Sequence, residues 1–219
     1  MTKIVKMWQK YYMVFLKGLG GTLWISAVVV FCGTLLGALV ALMNMSKWKP
    51  LKGIASIYIE ILRGTPILLQ LYFFWIVLPK IVPVEMSDTA CIIVALVINA
   101  SAFISEIIRA GIGAVDIGQW EAARSIGLSE KNVMLRVILP QAIKNILPAL
   151  GNEFISTVKG TSLASVFFVG ELMTAYRTVQ SATFLALQSL TIVGIIYFVL
   201  NYVLSKLLHV LERRLMVSD

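Results

Sequence analysis

Two ionisable side chains, Glu153 and Lys159, stand in an apolar stretch of this sequence, where a charge is costly unless it meets water, a counter-ion or a polar ligand. At a helical rise of about 1.5 Å per residue, Glu153 lies about 14 Å beyond Lys144, near the middle of a hydrocarbon layer about 30 Å thick. A carboxylate there can bind an ammonium group of a solute, and Lys159 can bind a carboxylate. A structural role, in which either side chain pairs with a neighbouring subunit or a backbone carbonyl, stays open.

Polar or flexible positions nearby extend this candidate path. Gly160 permits a break in the helix, and Thr161 or Ser162 can cap a following half-helix, an arrangement common at binding sites for polar solutes in membranes. Asn99, in another apolar segment, is a further polar contact, or else a hydrogen bond between helices. The predicted substrate path comprises Leu78, Asn99, Glu153, Lys159, Gly160, Thr161 and Ser162.

Other residues in the apolar segments are expected to have structural roles. Glu60 and Arg63, like Glu106 and Arg109, are spaced to meet on one helix face, which predicts two neutralised ion pairs at headgroup depth rather than a binding site. Pro66 removes a backbone donor and predicts a kink.

The sequence shows no combination of residues that would form a catalytic site. The chain has one histidine, His209, which cannot build a metal site alone, and no Gly-Lys dipeptide, so it lacks a phosphate-binding P-loop. Cys32 and Cys91 lie in apolar segments, and we expect no disulfide. We therefore expect a non-catalytic chain that binds no cofactor or metal.

The elements that must position these residues are membrane spans. Of 219 residues, 59% are hydrophobic and 14% charged, mean hydropathy is +0.89, and residues 18–46 and 178–205 carry no charge. These values exclude a disordered chain and indicate a multi-span membrane protein. The net charge of +8 fits Lys and Arg held in cytoplasmic loops, so we expect a lipid bilayer and no nucleic acid as partner.

The apolar pattern predicts an all-α integral membrane domain covering residues 1–219. An amphipathic segment at 1–21 precedes five transmembrane helices near residues 22–43, 54–78, 87–108, 140–158 and 183–208. The distribution of Lys and Arg favours an N-terminus outside and a C-terminus in the cytoplasm.

A polar loop, residues 109–139, separates the third and fourth spans. Asp116 and Gln119 predict a capping box, and Gly127 predicts the left-handed end of a short helix. Ala122 and Ala123 would give that helix a small face for another protein. A simple surface helix joining two spans is the alternative.

Spaced motifs along nearly the whole chain resemble ABC importer permeases of the polar amino acid uptake subfamily. The loop has Glu-Ala-Ala at 121–123, Gly127, and then Val137, Leu139 and Pro140. Further matching motifs are Arg63-Gly-Thr-Pro66, Glu106-Ile-Ile-Arg-Ala-Gly111, Leu139-Pro-Gln-Ala142, Leu147-Pro-Ala-Leu-Gly-Asn152 and Lys159-Gly-Thr-Ser-Leu163.

This resemblance implies the type I ABC importer permease fold, with the loop forming a cytoplasmic coupling helix that docks on a separate ATPase. The coupling residues it implies are Gly118, Gln119, Trp120, Glu121, Ala122, Ala123, Arg124 and Gly127. ATP and Mg²⁺ would be held by the partner ATPase. Where the subfamily usually has Asp, this chain has Gly160, which disfavours a strongly cationic substrate.

The resemblance also implies an assembly in the bacterial cytoplasmic membrane: two ATPase subunits, a second permease copy or a homologous permease, and an extracytoplasmic substrate-binding protein. We expect the chain to move a polar amino acid by alternating access. The alternatives are a non-transporting membrane scaffold or sensor of the same fold, and an importer for another small polar solute. An intramembrane enzyme would need paired catalytic groups at one depth, and none is evident.

Overall fold

Every regular element in residues 3–216, the part of the chain described by the computed structural model, is helical. The elements are α1 (Lys3–Asn44), α2 (Lys49–Gly64), α3 (Ile67–Ile81), α4 (Asp88–Gly113), α5 (Ile117–Ser125), α6 (Glu130–Asn132), a π-helix (Val133–Ile138), α7 (Leu139–Gly160), a 3₁₀ helix (Thr161–Phe167), α8 (Leu172–Thr183) and α9 (Ala186–Met216).

Four helical stretches are long and apolar enough to cross a bilayer, namely Lys3–Asn44, Asp88–Gly113, Glu130–Phe167 and Ala186–Arg214. The bent pair of α2 and α3 makes a fifth if it crosses as one unit. The predicted all-α membrane fold is confirmed, while the number of five spans stays a prediction.

The predicted second span is not one helix. The sequence indicates a helix from residue 54 to 78 with a kink at Pro66, whereas α2 and α3 meet at a bend of 112°. Pro66 has no N–H to continue the helix, and it forces the preceding Thr65 into an extended conformation (φ −118°, ψ 148°). The chain therefore turns sharply between the two helices.

The sequence predicts a short amphipathic helix in the N-terminal segment, residues 1–21, but its described part does not form a short helix of its own. Residues 3–21 continue directly into the first apolar segment as α1, whose 42 residues span about 63 Å. Met7 and Phe15 are buried against α8 and α9, so this half of α1 is held by packing on other helices. That packing stabilises helix across a glycine-rich stretch that would otherwise weaken it.

The centre of the fold is the contact between α1 and α4, where small residues bring two helices close together. A Cβ atom added at Gly33 would lie 3.2 Å from Ala100 Cβ, and one at Gly37 would lie 2.9 Å from the Ser101 carbonyl oxygen. Small residues let the two backbones approach closely, and the resulting van der Waals packing stabilises the helix pair in lipid, where the hydrophobic effect does not drive helices together. The surrounding apolar cluster includes Ile25, Val29, Leu71, Ile92, Leu96 and Phe167.

Candidate functional site

Helix α5 lies in the loop between α4 and α7. It begins at Asp116, whose Oδ1 accepts a hydrogen bond of 2.6 Å from the Gly118 N–H. The predicted capping box is wrong, because the Gln119 side chain does not turn back on the helix. Its Oε1 accepts a hydrogen bond of 3.3 Å from Gln141 Nε2, which ties α5 to the start of α7.

One face of α5 is held against the rest of the protein and the other is free. Ala123 is buried, and Trp120 packs beside it on a cluster that includes Val133 and Ile138 of the π-helix. Ala123 therefore does not belong to the exposed small face predicted for it together with Ala122. Glu121 and Ala122 are exposed, as are the large apolar side chains of Ile117 and Ile126.

The end of α5 is fixed by backbone and charge. Gly127 adopts φ +80°, the left-handed conformation predicted for it, and this ends the helix. Arg124 donates two hydrogen bonds to the Glu130 carboxylate, of 2.8 and 3.1 Å, and its guanidinium lies 5.6 Å from the Trp120 ring centre. The bond to Glu130 raises the pKa of Arg124 above its ordinary value. The result is a braced helix with an exposed face of mixed charge and apolar groups.

A cavity of about 330 Å³ lies among α1, α2, α3, α4 and α7, and we call it the central cavity. Three of the predicted path residues, Asn99, Glu153 and Gly160, line it. The remaining lining residues are Val29, Leu62, Thr65, Ile67, Leu96, Ala100, Phe103, Ser156 and Thr157. A mostly apolar cavity with few polar groups is typical of binding sites for small molecules.

Glu153 is the charged group of this cavity. Its side chain makes no hydrogen bond or ion pair with any residue in the described range 3–216, and the residue is only partly exposed. A partly buried, unpaired carboxylate favours a cationic partner from outside the chain. An ammonium group of a small solute meets that requirement.

Asn99 presents an amide that is held in place by Gln70. The Asn99 Nδ2 donates a hydrogen bond of 2.9 Å to Gln70 Oε1. Gln70 in turn donates to the Leu62 carbonyl oxygen at 2.8 Å and to Thr65 Oγ1 at 2.8 Å, which braces the bend between α2 and α3. Gln70 is not among the residues expected from the sequence, although a lone amide in the apolar run of residues 67–78 is a signal for it.

The other predicted path residues lie elsewhere. Lys159 and Ser162 line a second cavity of about 780 Å³ formed with α8 and α9, and Lys159 makes no hydrogen bond or ion pair within residues 3–216. No break follows Gly160: α7 only changes from α to 3₁₀ geometry there, and the helical stretch continues to Phe167. Thr161 is fully buried, and its hydroxyl donates to the Val158 carbonyl oxygen instead of capping a helix. Leu78 is buried near the end of α3 and lines neither cavity.

The arginine and glutamate residues beside the central cavity form a three-membered cluster. The predicted pair of Glu106 and Arg109 is present, with two hydrogen bonds of 2.9 and 2.8 Å. The predicted pair of Glu60 and Arg63 is wrong. Arg63 reaches across to Glu106 at 3.4 Å, and Glu60 accepts a hydrogen bond from Ser56. The sharp bend after Gly64 turns the end of α2 toward α4 and makes this contact possible.

Comparison with known proteins places these features in context. Residues 33–217 match the family described as the binding-protein-dependent transport system inner membrane component. The chain is 38% identical to the arginine transport system permease protein ArtQ of Bacillus subtilis (strain 168), covering 93% of each chain. It is also 38% identical to the probable glutamine ABC transporter permease protein GlnM of the same organism, covering 93% of this chain and 94% of the relative.

Solved structures have the same architecture. An amino acid ABC transporter crystallised with histidines superimposes with a TM-score of 0.92 at 44% identity, covering 98% of this chain and 99% of that chain. The MetNI methionine ABC transporter in an inward-facing form gives a TM-score of 0.79 at 18% identity, covering 98% and 99% of the two chains. At that identity, the second likeness concerns the fold alone.

Proposed function

Since the chain belongs to the family of inner membrane components of binding-protein-dependent transport systems, we propose that it imports a polar amino acid. It would do so as the transmembrane subunit of an ATP-driven ABC importer, by alternating access. The observation that carries the substrate class is the unpaired carboxylate of Glu153 in a small cavity that Asn99 also lines. Relatives named for arginine and glutamine transport support it, because all such substrates share an α-ammonium group.

The proposed binding mode places the α-ammonium group of the substrate at Glu153. Asn99 and Ser156 supply neutral polar contacts in the same cavity. Gly160 brings no second carboxylate to this wall. The cavity therefore has no counter-charge for a cationic side chain, which suits a neutral polar amino acid. The sequence also predicts Lys159, Thr161, Ser162 and Leu78 for the path, but in this binding mode they make no contact with a substrate in the central cavity.

Helix α5 is the proposed contact with a separate ATPase subunit. Its exposed face offers Glu121, Ala122, Ile117 and Ile126, while Trp120 and Ala123 anchor the helix to the membrane-spanning part. A helix held in this way can transmit a displacement of its partner to α4 and α7. Gly118, Gln119, Arg124 and Gly127 set its beginning, its tie to α7 and its end.

The proposed assembly has two permease chains, two ATPases and an extracytoplasmic binding protein in the cytoplasmic membrane. A family built on binding-protein-dependent transport implies the last two kinds of partner. With α5 facing the ATPase, the loop of residues 109–139 is cytoplasmic, the N-terminus lies outside and the C-terminus inside. ATP and Mg²⁺ are bound by the partner, and this chain performs no chemistry of its own.

Uptake by the reconstituted complex tests the proposal. Proteoliposomes with ATP inside and the binding protein outside are supplied with labelled basic, acidic and neutral polar amino acids in parallel. We expect uptake that depends on ATP and is greatest for neutral members. Strong uptake of arginine or lysine would leave the importer in place and contradict the role given to Gly160. No uptake of any member, with an ATPase that is bound and active, would contradict the proposed function.

Reversing the charge at Glu121 tests the coupling contact. The Glu121→Lys substitution changes an exposed side chain, so the permease itself should fold normally. A like-charge contact in an interface costs several kcal/mol, and we therefore expect at least about a tenfold loss of ATPase co-purification and uptake. Glu85→Lys, the same change at an exposed position between α3 and α4, is the control. Full uptake by Glu121→Lys would show that α5 does not couple the ATPase through this residue.

A further inference from the structure

We propose that another cavity, which adjoins the central cavity and which we call the arginine cavity, binds the carboxylate end of the transported amino acid as it leaves. The arginine cavity measures about 350 Å³ and is lined by Arg63, Glu106, Arg109, Ala110, Phe103 and Glu153. This inference rests on the proposed function for the identity of the solute. Its physical basis is the arrangement of charge around Phe103.

The two cavities are neighbours with a common wall. Phe103 and Glu153 line both of them, so the Phe103 ring and the Glu153 carboxyl stand at the boundary. A solute that moves past the Phe103 ring passes from one cavity into the other without leaving Glu153. A single carboxylate can therefore hold an ammonium group in either position.

The Arg63 side of the arginine cavity is suited to an anion. Glu106 spends two hydrogen bonds on Arg109, whereas its contact with Arg63 is a single ion pair of 3.4 Å. The Arg63 side chain makes no hydrogen bond with any residue between 3 and 216. A guanidinium carries five N–H donors in a flat fork that matches a carboxylate. Glu106 thus faces two arginines, and Arg63 has N–H donors that no other residue in that range uses, while the second carboxylate of the cavity, Glu153, belongs to the wall shared with the central cavity.

Phe103 positions Arg63 at the boundary. The Arg63 guanidinium carbon lies 5.7 Å from the centre of the Phe103 ring, within the range of a cation–π contact. With Arg63 held over that ring, the remaining N–H donors of its guanidinium can face a solute that moves between the two cavities. With Glu153 near the ammonium group and Arg63 near the carboxylate, an amino acid zwitterion is aligned by both of its charges.

The order of residues on α4 gives the path a direction. Asn99, Phe103 and Glu106 are spaced to lie along one face of α4, and Glu106 lies about 10 Å beyond Asn99 toward the end of the helix that carries α5. The arginine cavity therefore lies between the central cavity and the loop proposed to face the cytoplasm. Imported solute would reach it second.

Protection of a cysteine from alkylation tests the site without relying on transport. Ala110 is exposed in the arginine cavity, and Ala110→Cys is made in a Cys32→Ala background, with Cys91 retained because it is buried. The probes are propionate and the uncharged propionamide, applied to the reconstituted complex at matched ionic strength. Labelling by a maleimide is read on the separated permease chain. Ile107→Cys is the second reporter position if Ala110→Cys does not fold.

We expect propionate, and not propionamide, to slow the labelling about threefold, the effect of two-thirds occupancy. Arg63→Gln should abolish that protection and Arg63→Lys should keep part of it. Lys52→Gln, which removes a positive charge from an exposed position on the same helix, should leave it unchanged. Equal slowing by both probes, no slowing, or protection that survives Arg63→Gln would overturn the inference. Because no amino acid needs to be carried, a failure of uptake remains distinguishable from a failure of this site.

Discussion

Replacing Glu153 with glutamine is expected to lower uptake of the preferred amino acid about 30- to 100-fold, equivalent to about 2–3 kcal/mol. Glutamine keeps the size of the side chain and its capacity for hydrogen bonds, so the substitution removes little except the negative charge. In the central cavity that charge has no partner within residues 3–216. The ammonium group of the substrate would then lose its counter-ion in a largely apolar site.

The thermal stability of the Glu153→Gln variant should rise or stay the same, although its uptake falls. An unpaired, partly buried carboxylate is unfavourable in the empty cavity, and a neutral amide removes that cost. We therefore expect Glu153→Gln to unfold at the same temperature as the wild type or higher, measured on the detergent-solubilised complex. Loss of uptake together with lowered thermal stability would point to a structural role for Glu153, and undiminished uptake would exclude it as the ammonium partner.

The matched control for this experiment is Glu60→Gln. Glu60 is exposed on α2, accepts a hydrogen bond from Ser56, and lines neither the central cavity nor the arginine cavity. The two substitutions make the same chemical change, one inside the central cavity and one outside it. Uptake by Glu60→Gln should equal that of the wild type.

Features decided by neighbouring residues could be predicted from the sequence. The short helix capped by Asp116 and its left-handed end at Gly127 follow from local backbone preferences, and the structure has them. Gly160 permits a break but does not impose one, and the helical stretch continues through it to Phe167. Pro66 predicts an interruption, but not its angle of 112°. That angle depends on Gln70, which bonds back to α2 and across to α4 and so involves three segments at once.

Features that depend on which helices pack together were not available from the sequence. Spacing along one helix favours a pair between Glu60 and Arg63, but the bend after Gly64 carries Arg63 to Glu106 on α4. Glu153 and Lys159 are near in sequence yet line different cavities, because α7 has different neighbours on its two sides. A local pattern specifies a helix face, and the tertiary packing decides what that face meets.

The close contact between α1 and the start of α8 cannot be predicted from any local sequence pattern, because it joins residues that are far apart in the chain. Three glycines of α1, Gly18, Gly20 and Gly21, are close together in sequence but meet different surroundings. A Cβ at Gly21 would overlap the carbonyl oxygen of Gly170, one at Gly18 would lie 2.8 Å from Ala175 Cβ, and one at Gly20 would meet nothing within 4 Å. The same substitution at the three positions therefore separates packing from helix propensity.

Gly21→Ala is expected to destabilise the permease by about 3 kcal/mol, because a backbone carbonyl cannot give way as a flexible side chain can. The overlap would push apart α1 and the segment that leads into α8, where the Leu172 N–H bonds to Thr22 Oγ1 and the buried Glu171 carboxylate accepts from the Met173 and Thr174 N–H groups. Gly18→Ala should cost less, since its closest contacts, at 2.8 and 3.0 Å, overlap less than the contact at Gly21.

Gly20→Ala completes the series and should leave stability unchanged or raise it by up to about 1 kcal/mol, because alanine favours a helix over glycine. The order of stability is then Gly20→Ala at or above the wild type, followed by Gly18→Ala and last Gly21→Ala. The order is measured by heating the detergent-solubilised permease and determining the folded fraction that remains by size-exclusion chromatography. Gly21→Ala as stable as Gly20→Ala would mean that α1 and the start of α8 do not approach each other as closely as described, and that the N-terminal half of α1 is held by its other contacts alone.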